Sequence, residues 1–319
     1  MVILCRVMNV TRSGFYAWVR RGTSDHAKRD QQLLEKIKVF HKASKKRYGS
    51  PRIFDDLRDD GEHVGKKRVE RLMRHNGIVG KRRRKFTSTT NSNHDKQVAP
   101  NLLKQQFDVV RPDAVWASDI TQLWTPEGWW YLAVVLDLFA RYVVGWAMSS
   151  RIKQQLVLDA VTMALLRRQP SSSLIFHSDR GSQYAADDTE KLLVTNGLTP
   201  SMSGKGNCYD NAVSESFFSR LKEELGDSFP SRNQAGAEVF EYIEVFFNRR
   251  RRHSYNGNVS PLECELFYAR HGRRPAGVLD LVASRKPGAQ ITSPDEGAPI
   301  HVPATFLTTG VPLYSGAEG

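Results

Sequence analysis

The chain has 319 residues, 40% of them hydrophobic, and a formal net charge of +13 at pH 7, which suits two or three domains with at least one sizeable core. No apolar run reaches membrane-spanning length, and Met1-Val2-Ile3-Leu4-Cys5-Arg6 is too short and too soon charged for a signal peptide, so a cytoplasmic, nucleoid-associated protein is expected. Cys5, Cys208 and Cys264 lie far apart with no C-x-x-C spacing, which argues against a disulfide framework or a cysteine zinc site and leaves oxygen to hold any metal.

The positive charge is concentrated at one end. Residues 1–107 carry 26 Lys and Arg against 10 Asp and Glu, a net +16, while the other 212 residues carry 21 against 24, a net −3. Such an asymmetry points to nucleic acid, because each phosphate neutralised by Lys or Arg releases counterions.

In chain order, residues 3–20 read as a short helical region broken by a turn at Thr11-Arg12-Ser13-Gly14. Residues 26–43 carry Leu33, Leu34, Ile37 and Phe40 at helical spacing. Ser50 as cap with Pro51 behind it opens another helix that ends near Gly61. A further helix over 65–76 turns Val69, Leu72 and Met73 inward and Lys66, Lys67, Arg68, Arg71 and Arg74 outward, and Gly77 stops it. Together these predict an all-α, helix-turn-helix-like module over 1–85, whose last helix and the run Lys81-Arg82-Arg83-Arg84-Lys85 contact DNA. Residues 86–107 read as a linker.

From residue 108 the pattern changes. Strands are predicted at 115–121, 129–136 and 142–149, a helix over 153–168, a strand at 173–176, a helix over 187–196, a strand at 198–202 and a long helix over 209–225. The short turns make the first three strands antiparallel, so an α/β fold with a mixed five-stranded sheet flanked by helices is expected. Ser201–Asn211 reads as a mobile loop that orders when DNA or metal binds. Helix 234–247 follows, ending in Arg249-Arg250-Arg251-Arg252-His253, where so dense a set of guanidiniums fits phosphate. The catalytic unit is placed at 108–266 and a largely irregular tail at 267–319.

Three acids stand out within that unit. Asp179 follows the fourth strand in His177-Ser178-Asp179-Arg180-Gly181-Ser182-Gln183-Tyr184; alone, an Asp beside Arg and Gly reads as a turn. Asp119 lies within the first strand, which can neighbour the fourth. On the last core helix Val213, Phe217, Leu221 and Leu225 form an apolar stripe, and Glu215 falls about 200° from it at roughly 100° per residue. Asn211 and Lys222 share the face of Glu215. Asp137 pairs most simply with Arg141, and His177 reads as a structural group because hard cations prefer oxygen.

W-A-S-D-I-T at 116–121, H-S-D-R-G-S-Q-Y at 177–184 and G-N-C-Y-D-N-A-V-S-E-S-F-F-S-R-L-K at 206–222 resemble the three catalytic blocks of bacterial insertion-sequence transposases of the IS-three type, the second-frame product of two overlapping reading frames. Y-G-S-P-R-I at 48–53 and N-R-R-R-R-H-S…S-P-L-E at 248–263 belong to the same pattern, so the resemblance covers roughly residues 1–266. It implies a ribonuclease H-like, retroviral-integrase-like core in which Asp119, Asp179 and Glu215 are catalytic and hold two Mg²⁺ or Mn²⁺ ions. It implies strand cleavage and transfer at the ends of a DNA element, multimers on DNA, and Lys222 as a contact to the DNA end. The residues leave two other readings open: a DNA-binding regulator with an inactive core, and a ribonuclease H-type hydrolase of RNA–DNA hybrids. Tyr255-Asn256-Gly257-Asn258 departs from the more apolar run of the family pattern, and the chain begins where a second frame would, so an upstream helix-turn-helix and coiled-coil product is an expected partner.

Overall fold

The computed structural model describes residues 2–20, 22–81, 98–170, 173–204 and 208–275. The expected phosphate contacts Arg82, Arg83 and Arg84, part of the expected linker and the tail beyond 275 lie outside the described residues. The chain divides into two compact units, residues 1–85 with 222–224 and residues 86–221 with 225–319.

The first unit contains helices α1 (Val2–Val7), α2 (Arg12–Arg20), α3 (Asp25–Ala43), α4 (Ser50–Asp59) and α5 (Lys66–His75). Ser24 caps α3 by accepting the Ala27 N–H at 3.2 Å. Gly49, rather than Ser50, is the cap residue of α4, so no side chain caps that helix, and Pro51 sits in its first turn where a missing N–H is harmless. Leu33 and Ile37 of α3, Ile53 and Leu57 of α4 and Val69, Leu72 and Met73 of α5 are buried. Gly77, at φ 64°, closes the α5 end as expected.

In the second unit come β1 (Val115–Thr125), β2 (Gly128–Asp137), β3 (Tyr142–Ser149), α6 (Gln154–Arg168), β4 (Leu174–Ser178), α7 (Asp187–Thr195) and β5 (Leu198–Met202). A 3-10 turn over Cys208–Asn211 leads into α8 (Ala212–Leu225), and α9 (Arg232–Phe240) continues as a π-helical segment over Glu241–Phe247. Last is α10 (Pro261–His271), which crosses the boundary expected at 266; Ser260 and Glu263 cap it reciprocally, and Gly272 ends it at φ 64°.

The sheet order is β3-β2-β1-β4-β5. β1, β2 and β3 are antiparallel neighbours, β4 runs parallel to β1, and β5 parallel to β4. Two strands run longer than the sequence suggests. Gln122–Thr125 keep pairing with Gly128–Tyr131, and His177 and Ser178 pair with Ser201 and Met202. Trp116 belongs to one buried cluster with Leu156, Val161 and Phe176, whereas Val115 and Ala117 belong to another with Leu138, Phe139 and Cys264. Consecutive residues of β1 thus feed the two faces of the sheet, and both faces are covered.

Several contacts lock this unit. Asn248 bridges the backbone of Val143 in β3, accepting its N–H at 2.9 Å and donating to its carbonyl at 3.0 Å, while the Trp146 N–H is directed at the Met163 sulfur at 3.4 Å. At the opposite edge the Met202 N–H of β5 reaches the Pro100 carbonyl at 3.4 Å, and Ser201 Oγ accepts the Leu102 N–H at 2.9 Å. α6 approaches β3 so closely that a Cβ on Gly145 would collide with the Ala160 carbonyl and stand 2.8 Å from the Ala164 nitrogen.

Asp137 does not pair with Arg141. Its fully buried carboxylate accepts the N–H groups of Asp113 and Phe139, each at 2.8 Å, and the Arg141 guanidinium lies 3.9 Å from the Tyr255 ring centroid instead. Burial, reinforced by the negative charges of Glu265 and Asp113, pushes the Asp137 carboxyl up to about 8. Among the described residues no helix is long and apolar enough to cross a membrane.

Gly145→Ala is expected to lower the unfolding free energy by about 2 kcal/mol or more, since the added methyl meets backbone that cannot give way; a denaturant midpoint equal to that of the parent chain would contradict the close approach. The raised Asp137 pKa has a definite sign. The folded state retains a proton that the unfolded chain has already released, so this contribution to stability is present in full below the unfolded carboxylate value of 3.8 and is lost as pH rises through about 8. Denaturant melts at several pH values should therefore show a downward trend between roughly pH 5.5 and 8 that Asp137→Asn abolishes.

Candidate active site

Parallel pairing aligns Ser118 of β1 with Ser178 of β4, so Asp119 and Asp179 are the next residues of two adjacent strands. Both are partly buried. The Ser118 hydroxyl donates to the Val134 carbonyl at 2.8 Å and lies 2.9 Å from the Tyr184 hydroxyl. A serine has one hydrogen to give, so Tyr184 is the donor in that second bond. Asp119 and Asp179 both raise the pKa of the Tyr184 phenol, adding to the larger effect of its burial. One buried ring therefore senses both carboxylates.

The turn after β4 shapes the presentation of Asp179. Its Oδ1 accepts the Gly181 N–H at 2.9 Å, an Asx-type turn. A Cβ at residue 181 would stand 3.0 Å from that oxygen and 2.7 Å from Gln183 Oε1, so a larger residue there would press on the carboxylate and displace the Gln183 side chain. Arg180 points its Nε at the Ser203 carbonyl, 2.6 Å away. Behind the strand, His177 is buried between the hydroxyls of Ser201 at 2.9 Å and Ser203 at 3.3 Å. Burial lowers its imidazole to about 4 despite the nearby charge of Asp210, consistent with the structural part expected for it.

Glu215 lies in the first turn of α8, partly buried, and desolvation raises its carboxyl. The helix turns inward along Ser214, Phe217, Phe218, Leu221 and Glu224, whereas Val213 and Leu225 are only partly buried, so the buried stripe is rotated from the one read in the sequence. Asn211, at the start of this helix, is buried and directs its Nδ2 at the Ser118 carbonyl at 3.5 Å. Among the described residues its Oδ1 and the Ser214 hydroxyl have no hydrogen-bond partner. Among the described residues, too, no group of three or more His, Cys, Asp or Glu side chains is gathered closely enough to hold a metal ion. Asp119 and Asp179 are brought side by side; Glu215 is not gathered with them.

The loop expected over Ser201–Asn211 is held at both ends. Ser201 and Met202 finish β5, and the buried Asp210 carboxylate accepts the Gly204 N–H at 2.7 Å and the side-chain amides of Asn101 at 2.9 Å and Gln105 at 3.0 Å. Residues 205–207 lie outside the described residues. This Asp210 clamp and the Ser118–Tyr184 bond escaped sequence reasoning, because their partners are separated by about a hundred and by 66 positions respectively.

The expected DNA contacts fare unevenly. On α5, Lys66, Lys67, Arg71 and Arg74 are exposed, with the Lys66 ammonium 5.3 Å from the Phe54 ring centroid. Arg68 and Arg71 both bond Asp30, at 2.7 and 2.8 Å, and Arg74 bonds Glu70. Burial acts to raise the Asp30 carboxyl, but the two arginines outweigh it and hold it below its ordinary range. Arg250 is exposed and Arg252 donates to the Asn258 carbonyl at 3.1 Å. Arg251 is only 2% exposed, its guanidinium 5.6 Å from the Phe247 ring centroid, so it is withdrawn from the phosphate contact expected of it. Lys222 is partly buried near the end of α8.

The sheet order, with Asp119 inside β1 abreast of Asp179 just past β4, is that of an integrase-type core. Family models agree: the integrase core domain matches residues 109–208 and, through a second model of the same description, 215–265, and an HTH-like domain matches 28–86. Transposase InsF for insertion sequence IS3A of Escherichia coli (strain K12) is 45% identical over 266 residues, spanning 82% of this chain and 92% of that protein. The 31 kDa protein of insertion element IS600 of Shigella sonnei is 45% identical over 260 residues, spanning 81% of this chain and 96% of that one. The catalytic core of BIV integrase aligns at 19% identity with a TM-score of 0.37, over 50% of this chain and 98% of that one, a likeness too loose to carry a conclusion of its own. The chain belongs to the IS3-family transposases. Its activity is that of a DNA transposase, a polynucleotidyl transferase with an HTH-like DNA-binding domain.

Tyr184→Phe should leave the Ser118 hydroxyl without its donor and lower core stability by about 1 kcal/mol, measured by denaturant unfolding; an unchanged midpoint would mean that the phenol does not brace the two strands.

Proposed function

We propose that Asp119, Asp179 and Glu215 are the catalytic acids of this transposase, and that together they hold divalent Mg²⁺ or Mn²⁺, two ions per site, during cleavage and joining of DNA strands at the ends of an insertion sequence. The observation that carries the reading is the parallel register of Ser118 with Ser178, which sets Asp119, within β1, beside Asp179, just past the end of β4. The donor set fits a hard cation. All three side chains offer oxygen, and two like charges acting on one buried phenol are a pair that a cation would favour. The unpartnered Asn211 Oδ1 near Ser118 adds a further oxygen next to this pair.

When bound, the ions would activate the attacking water or 3′-hydroxyl and offset charge on the leaving oxygen. The chain's own residues do the rest. The Ile120 and Gly181 N–H groups hold the Oδ1 atoms of Asp119 and Asp179, Tyr184 braces Ser118 between them, and Asn211 links the start of α8 to β1. Desolvation raises the Glu215 carboxyl, and a cation held beside it would act against that shift. Lys66, Lys67, Arg71 and Arg74 of α5, and Arg250 farther along the chain, are exposed cations that would meet DNA phosphates. Lys222, on the same helix as Glu215, would contact the DNA end, and several copies of the chain would act on paired ends.

The test incubates the full chain with labelled duplexes carrying the element's ends and Mg²⁺, beside Asp179→Asn and Glu215→Gln. Cleavage and joining should fall by about a hundredfold or more in each variant, with DNA binding retained and Mn²⁺ binding by calorimetry weakened. Normal cutting by either variant would remove that residue from the catalytic set.

A further inference from the structure

The first two helices lie outside the matched HTH-like domain, which starts at residue 28. They nevertheless have the build of a DNA reader. α1 and α2 are joined by Met8–Thr11, and Asn9 takes the left-handed conformation at φ 53° that such a tight turn needs. Main-chain bonds from Asn9 to the Arg6 carbonyl at 3.2 Å and from Val10 to the Cys5 carbonyl at 3.0 Å fix the turn. Thr11 Oγ1 then accepts the Gly14 N–H at 3.1 Å, satisfying one of the free donors at the start of α2. A Cβ on residue 14 would stand 2.8 Å from that same oxygen, so glycine keeps the cap intact.

The sides of α2 differ in chemistry. At about 100° per residue, Gly14, Phe15 and Trp18 fall within one arc of roughly 100°. They line an apolar cleft of about 660 Å³ together with Leu4 and Cys5 of α1 and Met8 of the turn. Arg12, Ser13, Tyr16 and Arg20 fall within another arc of roughly 100° on the opposite side, and all four are exposed. Every one of them can donate a hydrogen bond. Residues 1–24 contain Arg6, Arg12, Arg20 and Arg21 and no Asp or Glu. A donor-rich helical face without a single nearby acid in its own segment complements the phosphates and acceptor-rich base edges of a major groove. It also disfavours a second copy of the same hairpin as the partner, because like charges would face each other.

We propose that α1 and α2 form a second helix-turn-helix, separate from the matched domain, with α2 laid in the major groove of duplex DNA through Arg12, Ser13, Tyr16 and Arg20. The apolar cleft faces the other way and holds the two helices at their angle. Arg12 and Arg20 are the phosphate or guanine contacts, and Tyr16 lies between them on the same face.

The test uses the full chain and a mixed-sequence duplex, with fluorescence anisotropy at several salt concentrations. Replacing Arg12 and Arg20 together by Ala should reduce the slope of log K against log salt by about 1.8, at roughly 0.9 per phosphate contact, and weaken binding about tenfold or more at low salt. The charge-preserving pair Arg12→Lys and Arg20→Lys should keep the slope. An alanine pair that binds with the parental slope and affinity would overturn the proposal and leave the hairpin as a protein-docking surface. Equal loss in the lysine pair would also overturn it, since the effect would then lie in the helix and not in phosphate neutralisation.

Discussion

The site rests on two strands, far apart in the chain, that run side by side in one direction. Parallel neighbours need a long crossover, and β2, β3 and α6 supply it between β1 and β4. What pins their register is apolar. Trp116 pairs with Phe176, both almost wholly buried in one cluster. A slip of one residue would turn every side chain of the moving strand to the opposite face, and Trp116 would leave its cluster for the face packed around Val115 and Ala117. The misfit of an indole and a phenyl ring on the wrong face is thus what keeps Asp119 abreast of Asp179. The geometry of the proposed site is a by-product of packing three residues upstream.

Much of this was legible beforehand. The five strands, their order along the chain and the antiparallel start follow from alternation and short turns, and the two aspartates from their places within the first strand and just past the fourth. The rest depended on contacts that a linear reading does not contain. Arg251 looks like its neighbours Arg250 and Arg252, yet its side chain is buried against Phe247. Asp137 has Arg141 four positions on, but backbone N–H groups of Asp113 and Phe139 reach its oxygens first. The departure at Tyr255-Asn256 is explained by polar anchoring. Asn256 donates to the Ala140 carbonyl at 2.7 Å, and the Tyr255 hydroxyl donates toward the Phe107 carbonyl and Asp108. A more apolar run is unnecessary where side chains bond the backbone of a neighbouring turn.

Charge in the first unit is shared between holding the fold and meeting DNA. Asp30 on α3 takes bonds from two arginines of α5, which fixes one helix against the other. Those arginines then present their remaining donors already oriented, at the expense of part of their net field. Lys67 makes the opposite compromise, being exposed and flexible. Preorganised forks favour definite positions on DNA, whereas mobile ammonium groups favour any phosphate within reach.

The two outer strands of the sheet have their own significance. On β3, Asn248 and Met163 already engage the backbone at Val143 and Trp146, and along β5 the segment around Pro100 and Leu102 does the same. An open edge would invite another molecule's strand to add itself and extend the sheet. With both margins engaged in this way, the folded sheet resists extension by a strand from another copy, so any contact between copies is left to helices and loops.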